Sequence, residues 1–422
     1  MPARHVGLRG GTLSADITRA RLRGLARNPA LPAESLLRLA GDERIDRWDL
    51  TARAEWTDET FDALAAHPGP EIREALAQSA GATGRQRARL VGDLSIRVLH
   101  AVVEGPPSRW ADPLPEWAYR RLAEHPEPVV RDMLTFVPGV PREVVALLAR
   151  DPHRGIASAA QALLDRKPFE PTSMGRDEAV HFASALSPWN RAQAAADPEL
   201  PAEQVAALAR DPSPQVRLAV SMRPELTERQ RTAIDYHIGP EDEVPVLDWV
   251  LAAGPAELEA CARSAHAGLR RSAARHPGLP ARLIAVLAAD PDPAVRLLLC
   301  ENQAAVPVDL LVRTYREAGP VTAGDLPRHP AFPRTDLARH ASDPDWRARV
   351  LVRFDPTAPA GLIDRLSRDE HPSVRAGMAD DPRLTTARVL ELLADPATTG
   401  SAAANPGLPR PLMDRILAGE PV

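Results

Sequence analysis

Residues 28–42 read NPALPAESLLRLAGD, and residues 405–419 read NPGLPRPLMDRILAG. Both run N-P, a small residue, L-P, then apolar residues four and seven places after the second proline: Leu36 and Leu39 in one, Met413 and Ile416 in the other. Near-copies of one phrase at both ends of a 422-residue chain indicate an internal repeat, which governs every other reading. With Pro32 as anchor, equivalents stand at Thr57, Thr83, Pro115, Pro141, Pro171, Pro201, Thr227, Pro255, Pro280, Pro307, Pro333, Pro359, Thr385 and Pro409. Fifteen modules of about 26 residues therefore cover nearly the whole chain.

Each anchor opens a helix. Proline suits a first helical turn, where its missing N–H would have had no partner, and threonine can cap nearby. The apolar pair at four and seven recurs as Phe61 and Leu64, Val145 and Leu148, Val205 and Leu208, Ile284 and Leu287, Ile363 and Leu366, and Val389 and Leu392. That spacing forms one buried stripe. Ten past the anchor stands aspartate, as in Asp42, Asp151, Asp211, Asp290 and Asp369, usually followed by a helix-ending proline. The second half-module reads P-x-V-R and small residues, as in PQVRLAVSM (214–222), and closes at a proline three before the next anchor. Only about two turns fit there, so this element is a short helix, α or 3₁₀. Neither element buries its stripe alone, so modules must stack. At ~8–10 Å per helix layer, fifteen modules would make a curved rod on the order of 120 Å along its path.

Composition narrows the function classes. The 44 prolines and 24 glycines stay below the ~25–30% expected of a low-complexity chain, so the prolines punctuate structure. The net charge of −5 offers no global attraction to phosphate backbones or anionic membranes. Lys167 is the only lysine; the arginine bias matches a GC-rich, bacterial genome and is no evidence for nucleic acid. No window approaches a membrane span or a signal-peptide core, so the expected location is the cytoplasm. Cys261 and Cys300 are too few for a disulfide framework, a zinc site or a thiolate-held cluster.

The stretch LPARLIAVLAADPDPAVRLLLCENQ (279–303), with NPALP, NPGLP, HPGLP and DPELP, resembles the leucine-rich repeat variant family. The resemblance covers essentially the whole chain and implies an all-α, right-handed solenoid of alternating α-helices and short α or 3₁₀ helices in two layers. Two departures stand beside it: a period nearer 26 than the family's shorter unit, and no cysteine cluster ahead of the repeats, so no iron–sulfur site carries over. HEAT repeats share the Asp…Val-Arg element but need about 40–47 residues per unit. The expected organisation is a lead-in over 1–16, an N-terminal array over 17–166, an irregular segment and candidate hinge over 167–190, and a C-terminal array over 191–422.

Candidate sites are weighed against this periodicity. His67, His125, His181 and His237 take the aspartate slot, and His276 and His329 the slot of Asn28 and Asn405, so turn and cap duty explains them. Arg217 follows Asp211 by six residues, as Arg296 follows Asp290; a strip that repeats with the fold reads as an ion-pair and capping ladder joining successive modules. Trp56 takes the slot of Leu31, and Trp346 that of Val216; both read as core. Trp117 stands where other modules carry Glu34 or Glu59, and Trp189 stands in the slot of Gln215. Large aromatics and arginines at solvated positions are favoured interface anchors. The candidate partner-binding residues are therefore Trp110, Trp117, Trp189, Arg109 and Arg120, in or beside the over-long segments 100–117 and 167–190. No catalytic motif, metal-ligand spacing or cofactor loop is present. The expectation is a non-enzymatic scaffold for a protein or extended peptide; the alternative is a nucleic-acid-binding solenoid using the basic runs 17–28 and 84–90.

Overall fold

The computed structural model describes residues 7–108, 110–137, 139–165, 173–319 and 324–420. Lys167, Pro168, Pro171, Pro138 and Arg109 lie outside them. Among the described residues every regular element is helical. The residues form two compact units, Met1–Leu164 together with Pro333–Val422, and Asp165–Phe332.

First-layer helices begin directly after the anchors, as in Ala33–Ala40, Asp58–Ala65, Glu116–Ala123, Ala202–Leu208, Ala281–Ala288 and Arg410–Ala418. The anchor proline is the N-cap in most of these helices, not the first helical residue; Pro255, which opens Pro255–Ala262 behind Gly254, is an exception. At Pro32 φ is −63° and ψ 153°, which suits the half-extended cap. Threonine anchors cap with the side chain, the Thr57 hydroxyl accepting from the Thr60 N–H at 3.2 Å. Proline as the first helical residue is instead common in the second layer, at Pro70–Ala77, Pro188–Ala196, Pro214–Ser221 and Pro372–Ala379. These are α-helices of eight or nine residues, so 3₁₀ geometry is the exception, confined to segments such as Leu337–Ser342 and Leu351–Phe354. Three anchors are displaced: the helix Arg176–Ala183 is capped at Gly175, the helix Pro255–Ala262 at Gly254, and the one expected after Pro333 starts at Leu337.

The stripe residues form the core. Leu36, Leu39, Phe61, Leu64, Val145 and Leu148 are buried in the first unit, Val205, Leu208, Val216 and Val220 in the second. Trp56 is buried too, its Nε1–H donating to Ser79 Oγ at 3.0 Å. Trp346 is only half-buried. The helix arginine of its module is Arg349, so Trp346 opens the helix Trp346–Val350 where other modules place proline, and it stacks on His371 at 4.3 Å.

Several modules are fastened to the one before by a polar side chain four before the anchor. Arg53 Nη1 and Nη2 donate to the carbonyls of Ala26 and Asn28 (2.9 and 3.0 Å). Gln303 Nε2 donates to those of Ala274 and His276, and Asn405 Nδ2 to those of Ala379 and Asp381. Each clamp reaches one module back and satisfies buried carbonyls that would otherwise be costly.

Asn28 makes the same pair of bonds, but to Ala403 and Asn405, at 3.0 and 2.7 Å. The first module thus sits on the last in the register of an ordinary neighbour, within the first unit. Helix Gly7–Arg27 packs on Thr399–Ala403, where a Cβ on Gly24 would overlap the carbonyl oxygen of Gly400. Arg21 Nε donates to Thr399 Oγ1 at 2.9 Å, and Arg410 pairs with Glu34 at 2.5 Å.

Candidate interaction surface

Charge is consumed internally by the ladder, in a different pairing from the one the spacing suggested. The slot arginine pairs with the aspartate twenty residues later, in the next module: Arg73–Asp93, Arg131–Asp151, Arg191–Asp211, Arg270–Asp290 and Arg349–Asp369, at 2.6–2.8 Å. Each of these arginines also donates from Nη2 to the second carboxylate oxygen, giving a two-pronged pair. Six-residue neighbours meet through the backbone, as Arg217 Nη1 donates to the Asp211 carbonyl at 2.7 Å. The same aspartates cap the following turn, Asp151 Oδ1 accepting from the His153 N–H at 2.8 Å. Hydrogen bonding from Arg131 holds the Asp151 carboxyl below the usual range, and Arg191 does so for Asp211.

Four of the six slot histidines, His67, His125, His276 and His329, do cap work; among the described residues none is found at His181 or His237. His67 and His125 accept through Nδ1 from the N–H of Gly69 and Glu127 at 3.0 and 3.1 Å, as His276 does from Gly278. Among the described residues no cluster of metal-ligating side chains occurs.

One pairing imitates catalytic geometry. Ser221 Oγ lies 2.8 Å from His266 Nε2, the distance of a nucleophile from its base. The hydroxyl, however, donates to the Leu218 carbonyl at 2.7 Å, so the imidazole must donate to Ser221 and cannot take its proton. Both residues are fully buried. Burial, with the nearby Arg231 charge, lowers the His266 pKa to about 4, leaving a neutral core histidine. Cys261 and Cys300 are likewise buried and free, with thiol pKa values raised by burial to about 11.

The sequence-selected residues divide. Trp117 is 53% exposed on helix Glu116–Ala123 in the first unit, and Trp189 is 59% exposed at the start of Pro188–Ala196 in the second. Trp110 is half-buried. Arg120 donates to Glu116 at 2.6 and 2.9 Å, one turn away on the same helix. Arg109 lies outside the described residues.

The sequence reading missed three exposed apolar groups: Leu94, Leu186 and Phe136, the two leucines fully solvated. Leu94 and Leu186 stand where other modules place the proline of the helix-ending turn, as at Pro152 and Pro212, so the missing proline was the available signal. Leu186 comes three residues before Trp189, placing two solvated apolar groups at one helix start. Arg87 and Arg231 were also missed. They fill the position four after the anchor, occupied elsewhere by Leu36, Phe61 or Val145, and both are buried.

No protein-family model matches this chain. No curated protein aligns with it at a significant score either. Among the described residues no helix is long and apolar enough to cross a membrane.

Proposed function

We propose that this chain is a non-enzymatic scaffold of the cytoplasm, a right-handed α-solenoid of about fifteen modules related to the leucine-rich repeat variant family, that engages a protein or extended peptide through its exposed aromatic positions. The carrying observation is the division of labour among surface groups. Slot arginines and aspartates pair with one another between modules, whereas Trp117 and Trp189 are more than half exposed at positions that hold polar residues elsewhere. A solvated tryptophan supplies large contact area at little conformational cost, the profile of an interface anchor. Three arginines of the basic runs are committed to internal bonds: Arg21 to Thr399, Arg23 to Asp49, and Arg89 to Asp58 and Asp62. That commitment favours a protein partner over nucleic acid, which would need free cations along a track.

The test is affinity capture of the tagged chain from its host lysate, with and without nuclease, beside Trp117→Ala and Trp189→Ala. The expected result is a defined protein that survives nuclease and is recovered at least fivefold less with one of the variants. Recovery abolished by nuclease would transfer the function to nucleic acid.

A further inference from the structure

Arg87 is 2% exposed, yet its guanidinium makes one hydrogen bond, from Nη2 to the carbonyl of Asp112, and no ion pair among the described residues. Its Nε is buried without an acceptor. Desolvation lowers its pKa, so the charge is under-compensated where it sits. The carboxylates nearby are otherwise engaged: Asp112 Oδ2 accepts from the Gly84 N–H at 2.7 Å, and Glu104 accepts from Gln78 at 3.2 Å.

Arg87 lines a cavity of about 120 Å³ with Val102, Val103, Gly105, Leu114 and Tyr119. Gly105 adopts φ +68°, and a Cβ there would lie 3.2 Å from Arg87 Nη1, so the bare backbone leaves that nitrogen room. Tyr119 fills in the next module the slot that Arg87 fills in its own, and its hydroxyl makes no hydrogen bond among the described residues. A buried donor without an acceptor, beside a cavity large enough for a few heavy atoms, is the signature of a missing polar occupant.

We propose that this cavity is a binding site for one carboxylate group, held by Arg87 and Tyr119 with its short alkyl portion against Val102, Val103 and Leu114. A monoanion fits better than phosphate, because among the described lining residues Arg87 is the one cation and two carboxylates, Glu104 and Asp112, flank it. The site is independent of the partner surface proposed above. Its ligand is a free small acid or the terminal carboxylate of a peptide.

The test uses the full chain with sodium acetate as probe, against sodium chloride and sodium phosphate at equal ionic strength, read by relaxation of ¹³C-acetate and by calorimetry. Acetate should bind in preference to phosphate. Arg87→Leu and Arg87→Met, which place in the slot the apolar residue type of other modules, should weaken it at least tenfold, and Tyr119→Phe should weaken it severalfold with the fold intact. N-acetylglycine binding as well as acetate identifies a peptide end; its exclusion identifies a free acid. Acetate affinity unchanged in the Arg87 variants, or no greater than that of chloride, overturns the proposal.

Discussion

The runs TGRQRARL (83–90) and TERQRTAI (227–234) put the same problem, a buried arginine in a leucine slot, into two parts of the chain, and they solve it differently. Both open with a threonine whose hydroxyl accepts from the glutamine N–H three residues on, while the glutamine side chain accepts from the threonine N–H. In both, the following module lacks a polar clamp four before its anchor, having Ala111 in one case and Leu251 in the other. Arg231 turns back and supplies the clamp itself, donating to the carbonyls of Ser221 and Arg223, with its guanidinium 5.8 Å from the Trp249 ring. Arg87 turns forward to the single carbonyl of Asp112. A buried arginine is therefore stabilising or idle according to how many carbonyls it reaches, not according to the slot it fills.

Replacement by leucine should separate the two most strongly. Arg231→Leu strands two carbonyls and is expected to cost about 3 kcal/mol. Arg87→Leu gives up one bond and removes a desolvated charge, and should change stability by less than ~1 kcal/mol in either direction. Urea unfolding followed by tryptophan fluorescence measures both. Equal costs would mean that slot, rather than bonding, decides.

How far this was legible depends on the range of the interaction. The anchors could be read because capping is decided within a few residues of Pro32 or Thr57, and the stripe because Leu36 and Leu39 lie one turn apart. The ladder's slots were visible, but its pairing was not. Arg191 meets Asp211 because stacking aligns adjacent modules, and no local rule prefers twenty residues over six. Trp346 was misplaced because the dipeptide Trp-Arg imitates Val-Arg, while the arginine that pairs is Arg349. The contact of Asn28 with the last module was unreadable for a deeper reason: it joins residues 375 and 377 positions apart, which no local rule pairs. Of the candidate surface, exposure of Trp117 and Trp189 followed from slot comparison. The same comparison applied to position four after the anchor would have exposed Arg87 and Arg231.

Acid sharpens the contrast, because only Arg231 has a buried titratable neighbour. The unfolded chain protonates His266 near pH 6.5 and the folded chain near pH 4. Between those values the unfolded state binds more protons, so stability falls as pH drops through the window, by about 3 kcal/mol at its acid end. The lowered carboxyls of Asp151 and Asp211 act later: their contribution is full above the ordinary carboxylate range and is lost as pH falls through their depressed values. Hydrogen exchange at pH 5 and pH 7, corrected for intrinsic rates, should show loss of protection around 218–270 before 84–104. His266→Gln should remove the difference, and simultaneous loosening of both segments would contradict the assignment.

Asn28→Ala asks whether a clamp across the chain ends equals one that a module makes for itself. Its two carbonyls belong to Ala403 and Asn405, and stranding them should cost about 2 kcal/mol, somewhat less than Arg231→Leu because no charge is involved. A loss below ~0.5 kcal/mol would mean that the first and last modules are held mainly by the helix contact at Gly24.

The smallest effect separates the two capping boxes. Gln86 is buried, and besides closing its box it donates from Nε2 to the Trp56 carbonyl and to Asp58 Oδ1, both at 3.1 Å, tying the helix start to the preceding module. Gln230 is exposed and closes only its own turn. Gln86→Ala should therefore cost about 2 kcal/mol, the cap together with a stranded carbonyl, and Gln230→Ala about 0.5 kcal/mol, the cap alone. If the two costs match, the bonds to Trp56 and Asp58 contribute nothing net. The cavity beside Arg87 would then be bordered by a helix start that its neighbour does not hold, and acetate binding should weaken in Gln86→Ala only if that start moves.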